Sequence, residues 1–124
     1  MDKFEDLLGM VLVNVENVDN EELIFTLNTG EKCKLWHMQD CCENVLIEDI
    51  CGDLKDLIGS PILMAEEVIQ DDENPEGVAP PNWQDDSYRW TFYKLATING
   101  YVTIRWYGES NGYYSVNVDF SVIK

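Results

Sequence analysis

Residues 88–98 read YRWTFYKLATI and run into Asn99-Gly100. Residues 101–109, YVTIRWYGE, run through Ser110 into Asn111-Gly112, and residues 113–122, YYSVNVDFSV, follow. Each run is rich in aromatic and β-branched residues, and Asn-Gly between such runs is the strongest short-range hairpin signal. The stretch therefore predicts a three-stranded antiparallel meander: Tyr88 to Ile98, Tyr101 to Glu109 and Tyr113 to Val122. Eleven of the 14 aromatic residues lie between Trp83 and Phe120, so most of the bulky apolar area is concentrated here.

If Asn99-Gly100 is a two-residue turn, Ile98 faces Tyr101, Lys94 faces Arg105, Phe92 faces Tyr107 and Trp90 faces Glu109. Like charges directly opposite each other destabilise a hairpin. A Lys94–Arg105 pair beside Trp90, Phe92 and Tyr107 can be read as a clamp for an anionic, base-bearing ligand such as a small nucleotide. The plainer reading pairs each cation with a carboxylate, Glu109 or Asp119 in the case of Arg105, and puts the aromatics in the core. The opposite face carries Tyr93, Val102, Ile104 and Trp106 beside Asn117 and Asp119. With aromatics on both faces, one face is expected to lie under helices or under a second subunit in a homodimer.

Working back towards the N-terminus, the composition changes between 71 and 87. Asp71, Asp72, Glu73, Glu76, Asp85 and Asp86 fall in a stretch with Pro75, Pro80 and Pro81, and no Lys or Arg occurs between Lys55 and Arg89. This predicts an acidic surface loop inside one domain. Earlier strands are expected at Met10–Val18, Glu22–Leu27, Glu31–Met38 and Val45–Ile50, and Ile62–Ile69 reads as strand in preference to helix, given Pro61 and its β-branched end. Short helical turns are expected at Asp2–Leu8, with Asp2 as N-cap, and at Asp53–Ile58, closed by Gly59. The fold class expected is α+β: a mainly antiparallel sheet with the C-terminal meander and one or two short helices, forming one domain over residues 1–124.

Twenty-four Asp and Glu stand against eight Lys and Arg, a formal net charge of −16. Such a charge opposes direct binding to nucleic acid or to an acidic membrane surface and favours basic partners. No apolar run reaches the roughly 18 residues of a membrane span. Residues 1–6 lack the basic and apolar pattern of a signal peptide, so a cytoplasmic location is expected.

All four cysteines and the only histidine fall between Cys33 and Cys51. Buried apolar thiols are the plain reading. The alternative is a zinc-supported module with Cys33, His37, Cys41 and Cys51 as ligands, although the spacing departs from the usual paired motifs. His37 and Cys41 could also form a nucleophile–base pair, but no third group accompanies them. Side chains of adjacent Cys41 and Cys42 point apart in an extended chain, and structural disulfides are not expected in a reducing compartment. Paired carboxylates are too numerous to single out an acid–base pair, and no P-loop, dinucleotide fingerprint or Gly-x-Ser-x-Gly is present. An enzyme is not expected.

His37-Met38-Gln39-Asp40-Cys41-Cys42-Glu43 running into Ile47 to Leu54, together with Trp90-Thr91-Phe92-Tyr93-Lys94 and Ile104 to Ser115, resembles a family of small acidic proteins of unknown function encoded by phages and prophages of Gram-positive bacteria. The resemblance covers most of the chain outside Asp71–Asp86. It implies an accessory role against host defence or regulation and transfers no catalytic residue. The expected function is non-enzymatic: binding and inhibiting a basic host defence or nucleic-acid-handling protein through the acidic surface, with Asp71, Asp72, Glu73, Glu76, Asp85 and Asp86 as contacts. A sponge for a nucleotide signal, using Arg105, Lys94, Trp90, Phe92 and Tyr107, is the alternative.

Overall fold

Alternation decides the first sheet. In β2 (Glu22–Leu27), Leu23, Phe25 and Leu27 point inward, and in β3 (Lys32–Trp36), Cys33 and Leu35 do the same. The computed structural model describes residues 1–78 and 87–123. In it, β1 (Leu12–Val18), β2, β3 and β8 (Asp119–Ile123) form one antiparallel sheet in the order β1-β2-β3-β8. A second antiparallel sheet has the order β4-β7-β6-β5, built from β4 (Asn44–Cys51), β5 (Met64–Asp71), β6 (Ser87–Thr97) and β7 (Gly100–Ser110). One apolar cluster joins the inner faces of both, with Phe25 and Leu35 from the first and Ile47, Tyr93, Ile104 and Trp106 from the second. Tyr93 donates to Glu67 Oε2 at 2.7 Å, and burial together with that bond holds its phenol far above the usual range.

The helical part of the α+β expectation reduces to two single 3-10 turns, Phe4–Leu7 and Leu54–Leu57. Asp53 caps the second, accepting from Lys55 N at 3.0 Å. The first is secured by Asp6, whose carboxylate accepts from the backbone of Asp2 and Lys3, rather than by Asp2. The tight β1–β2 turn uses Asp19 and Asn20, both at positive φ.

The meander exists, but one strand earlier than expected. β5, β6 and β7 follow one another, and the run predicted as a third C-terminal strand leaves this sheet, so that β8 pairs with β3. Asn111-Gly112 does turn the chain: Asn111 Oδ1 accepts from Tyr113 N, and Ser110 Oγ accepts from Gly112 N, each at 3.0 Å. No place beside β7 is free, however, because β4 already lies on one side and β6 on the other. The cover over the inner face is thus the first sheet, not a helix layer.

The β6–β7 register also differs by two residues. Thr97 pairs with Gly100, leaving Ile98 and Asn99 as the turn. Thr97 Oγ1 donates to the Asp56 carbonyl and accepts from Asn99 N, anchoring that turn to the second 3-10 turn. Gly100 lies close against the Asp56 side chain: a Cβ there would come 2.7 Å from its Oδ2 and 3.0 Å from its Cβ, so that side chain would have to shift. A shift of two preserves the faces, since side chains alternate with period two. The outer face therefore keeps its expected residues, while their partners change.

The return to β8 passes close over β7. A Cβ on Gly108 would sit 2.9 Å from Val116 Cβ and 3.1 Å from Val45 Cγ2. Gly108→Ala is expected to lower stability by about 1–3 kcal/mol, the usual cost of overpacking. Urea unfolding with an unchanged m-value measures it, and an unchanged midpoint would show that the returning segment yields freely.

Candidate functional site

The outer face of the second sheet gathers Trp90, Phe92, Lys94, Arg105 and Tyr107. In the observed register Phe92 faces Arg105, Trp90 faces Tyr107 and Lys94 faces Thr103, so the two cations are not opposite each other and Glu109 faces Tyr88. Arg105 lies over the Trp90 ring, with its guanidinium carbon 5.6 Å from the centroid. Its Nε donates to Glu48 Oε2, and a second nitrogen stands 3.6 Å from Asp49 Oδ2. Neither Glu109 nor Asp119 holds it. A bulge in β4 between Ile47 and Asp49 adds one residue, which brings two consecutive carboxylates to one guanidinium.

Trp90 is fully buried, and its Nε1 donates to Asn74 Oδ1 at 3.0 Å. Tyr107 packs on it at 4.6 Å between ring centroids and donates to Glu109 Oε2 at 3.0 Å. These aromatics are thus packed groups in this structure, and the arginine beside them already has carboxylate partners. Arg105→Ala is expected to destabilise the fold by about 1–2 kcal/mol, through a half-buried ion pair and its contact with the indole. Thermal or urea unfolding reads this, and stability equal to wild type would mean that the arginine is held in reserve for a ligand.

A second constellation lies at the end of the sandwich where the chain crosses between sheets. Glu43, 4% exposed, accepts from Cys41 N at 2.9 Å, Asp40 N at 3.2 Å and Gln39 Nε2 at 3.0 Å. His37 Nε2 lies 3.1 Å from the same carboxylate, and His37 Nδ1 lies 2.7 Å from the Asn117 carbonyl. Both neighbours are acceptors, so making both bonds at once takes N–H on both ring nitrogens. Clefts of about 410 and 360 Å³ flank this histidine, one with Asp19 and Glu21, the other with Asp40 and Asp119 in its walls. Nothing in the sequence pattern singled out Glu43, because one more carboxylate in so acidic a chain carries no signal.

The expected zinc ligands are dispersed. Cys33 faces the core, where burial and then nearby Glu31 push its thiol up to about 12. Cys51 is exposed at the far end of β4, and Cys41 is bonded to Cys42. Among the described residues, no group of three or more His, Cys, Asp or Glu side chains is arranged to hold a metal. Of the four cysteines only Cys33 is a buried thiol. The Cys41–Cys42 bond departs from the expectation because the chain there is not extended: it bends around the Glu43 carboxylate.

The acidic stretch is partly ordered strand. Asp71 ends β5 and takes a two-nitrogen contact from Arg89 at 2.5 and 3.1 Å, while Asp72 accepts from Tyr88 N. Glu73 and Glu76 are exposed, and Asp85 and Asp86 lie outside the described residues.

Desolvation opposes ionisation of Glu43, but hydrogen bonds from the backbone of Cys41 and Asp40 and from His37 outweigh it and lower its pKa from 4.5 to about 2. A lowered folded pKa adds stability that is present above the unfolded value and disappears as pH falls through the folded one. Stability is therefore expected to fall between pH 4.5 and about 2. Glu43→Gln should be less stable near neutrality and lose much of that decline. Urea midpoints across this range test it, and identical pH profiles for the two proteins would refute the assignment.

No curated protein and no solved structure matches this chain. Among protein families, residues 5–120 match a domain of unknown function, DUF7448. No helix among the described residues is long and apolar enough to cross a membrane. With nearly its whole length matched, the chain belongs to the DUF7448 family.

Proposed function

We propose that this protein is a non-enzymatic accessory protein that binds and inhibits a basic partner through its acidic surface. The partner class is a host defence or nucleic-acid-handling protein in the cytoplasm of a phage-bearing cell. The phage setting comes from the sequence resemblance. One observation supports the charge-driven mode: carboxylates outnumber cations three to one, and three of the eight cations are already paired within the chain. Lys34 pairs with Glu22 at 2.7 Å, Arg89 with Asp71, and Arg105 with Glu48 and Asp49. Against a net charge of −16, this leaves exposed carboxylates such as Glu16, Glu21, Glu66, Asp72, Glu73 and Glu76 without a cation within 4.0 Å among the described residues. A field of one sign accelerates encounters with an oppositely charged surface.

Such a partner, captured from host lysate at low ionic strength and identified by mass spectrometry, is expected to be basic. Its association rate should fall more than about tenfold as salt shortens the Debye length from about 30 Å to about 3 Å. A rate flat with ionic strength would remove the acidic-surface mechanism. Capture of a nucleotide instead would transfer the function to the Arg105 face.

A further inference from the structure

Each sheet ends in two edge strands, and three of the four are blunted. β1 carries a bulge between Leu12 and Asn14, and isolated bridges join Val11 to Pro61 and Leu12 to Ile58. β4 is bulged, and its Ile47 N–H donates to the Asn20 carbonyl at 2.7 Å. β8 has five residues. The fourth, β5, has eight residues in unbroken register with β6, from Met64 opposite Ala96 to Asp71 opposite Arg89. It contains no proline, no lysine and no bulge; its protection is the charge of Glu66, Glu67 and Asp71 and the first 3-10 turn, Phe4–Leu7, which packs against it.

The register identifies which groups face away from β6. Asp72 N donates to Tyr88 O at 2.9 Å, continuing the same ladder. Alternate residues of an antiparallel strand bond to the same neighbour, so Gln70, Val68 and Glu66 direct their backbone groups towards β6. Ala65, Glu67, Ile69 and Asp71 direct theirs outward, where no hydrogen bond meets them among the described residues. Val68 and Ile69 are 38% and 46% exposed beside this edge.

We propose that the outer edge of β5 receives an extended, Lys- or Arg-bearing segment of the partner as an added strand. The main chain supplies the ladder, and charge selects the occupant. Glu66 lies exposed on β5, Asp72, Glu73 and Glu76 follow it directly in the chain and are exposed, and no cation occurs in the sequence between Lys55 and Arg89. A second copy of this chain would bring the same carboxylates and another net charge of −16 to the contact, which disfavours it as occupant. The proposal rests on the reading that the partner is basic, and it adds where and how that partner docks.

Two synthetic nine-residue peptides of equal charge test it, one alternating lysine with valine and one alternating lysine with proline. The first can form a strand and the second cannot. The expected result is that the lysine–valine peptide slows hydrogen exchange at the amides of Glu67, Ile69 and Asp71 and binds about tenfold more tightly than the proline peptide. Ile69→Pro, which removes an outward donor and leaves the β6 ladder intact, should abolish that difference. Circular dichroism checks that this variant folds, and Glu66→Lys provides a second variant expected to weaken binding of the lysine–valine peptide.

Equal binding of both peptides, or protection elsewhere, overturns the proposal. Concentration-dependent protection of the same amides without peptide also overturns it, by assigning the edge to a second copy. A basic partner captured from lysate whose salt-dependent binding survives Ile69→Pro refutes edge docking but leaves the acidic-surface function standing. Capture of a non-basic partner refutes that function itself.

Discussion

Because β4 and β6 fill both sides of β7, the chain leaving Ser110 cannot extend the second sheet and must cross to the first. There it pairs with β3 as β8, and the two sheets become joined at a common end. The crossing is close, since Val116 passes over Gly108 where any larger residue would collide. The sandwich follows from that saturation. Had β7 kept a free edge, the third C-terminal run would have continued the meander, and Phe120 would not reach the cluster beneath β3.

Two segments change sheets at that end, residues 37–43 towards β4 and residues 111–118 towards β8. A crossing segment lacks a ladder partner, so its backbone groups need other partners. Glu43 supplies them for the first segment, accepting two backbone N–H groups and a side-chain amide. His37 ties that segment to the second through the Asn117 carbonyl. The carboxylate and imidazole that could have been read as chemistry are placed to hold two crossings together. The same loop brings Cys41 and Cys42 into a bond, which a straight strand would not allow.

Much of the strand pattern was legible because it rests on alternation. β2 was read with its observed ends, and the face shared by Trp90, Phe92, Lys94, Arg105 and Tyr107 was correct because a two-residue slip does not change faces. The slip itself was not legible. It depends on Thr97 bonding to Asp56, 41 residues away in sequence, and on the close approach of the Asp56 side chain to Gly100. The carboxylate partners of Arg105 were hidden for a related reason. They depend on a bulge in β4, and a bulge leaves no mark in a string of apolar and acidic residues. Strand order was hidden too, since local hairpin signals say nothing about which edge is already taken.

The distribution of cations connects this architecture to the surface. Lys34, Arg89 and Arg105 all sit on strands and meet carboxylates on neighbouring strands, with Lys34 also lying 4.5 Å above the Trp36 ring. Three of the eight cations are used to pair strands, and the carboxylates outnumber all eight three to one, so the outward field stays negative. Along β5 the backbone is regular and every charged side chain of the strand itself is a carboxylate. A carboxylate-rich edge repels copies of itself yet attracts a basic strand. The features that keep this edge from self-association are therefore the same ones that make it selective for a partner of opposite charge.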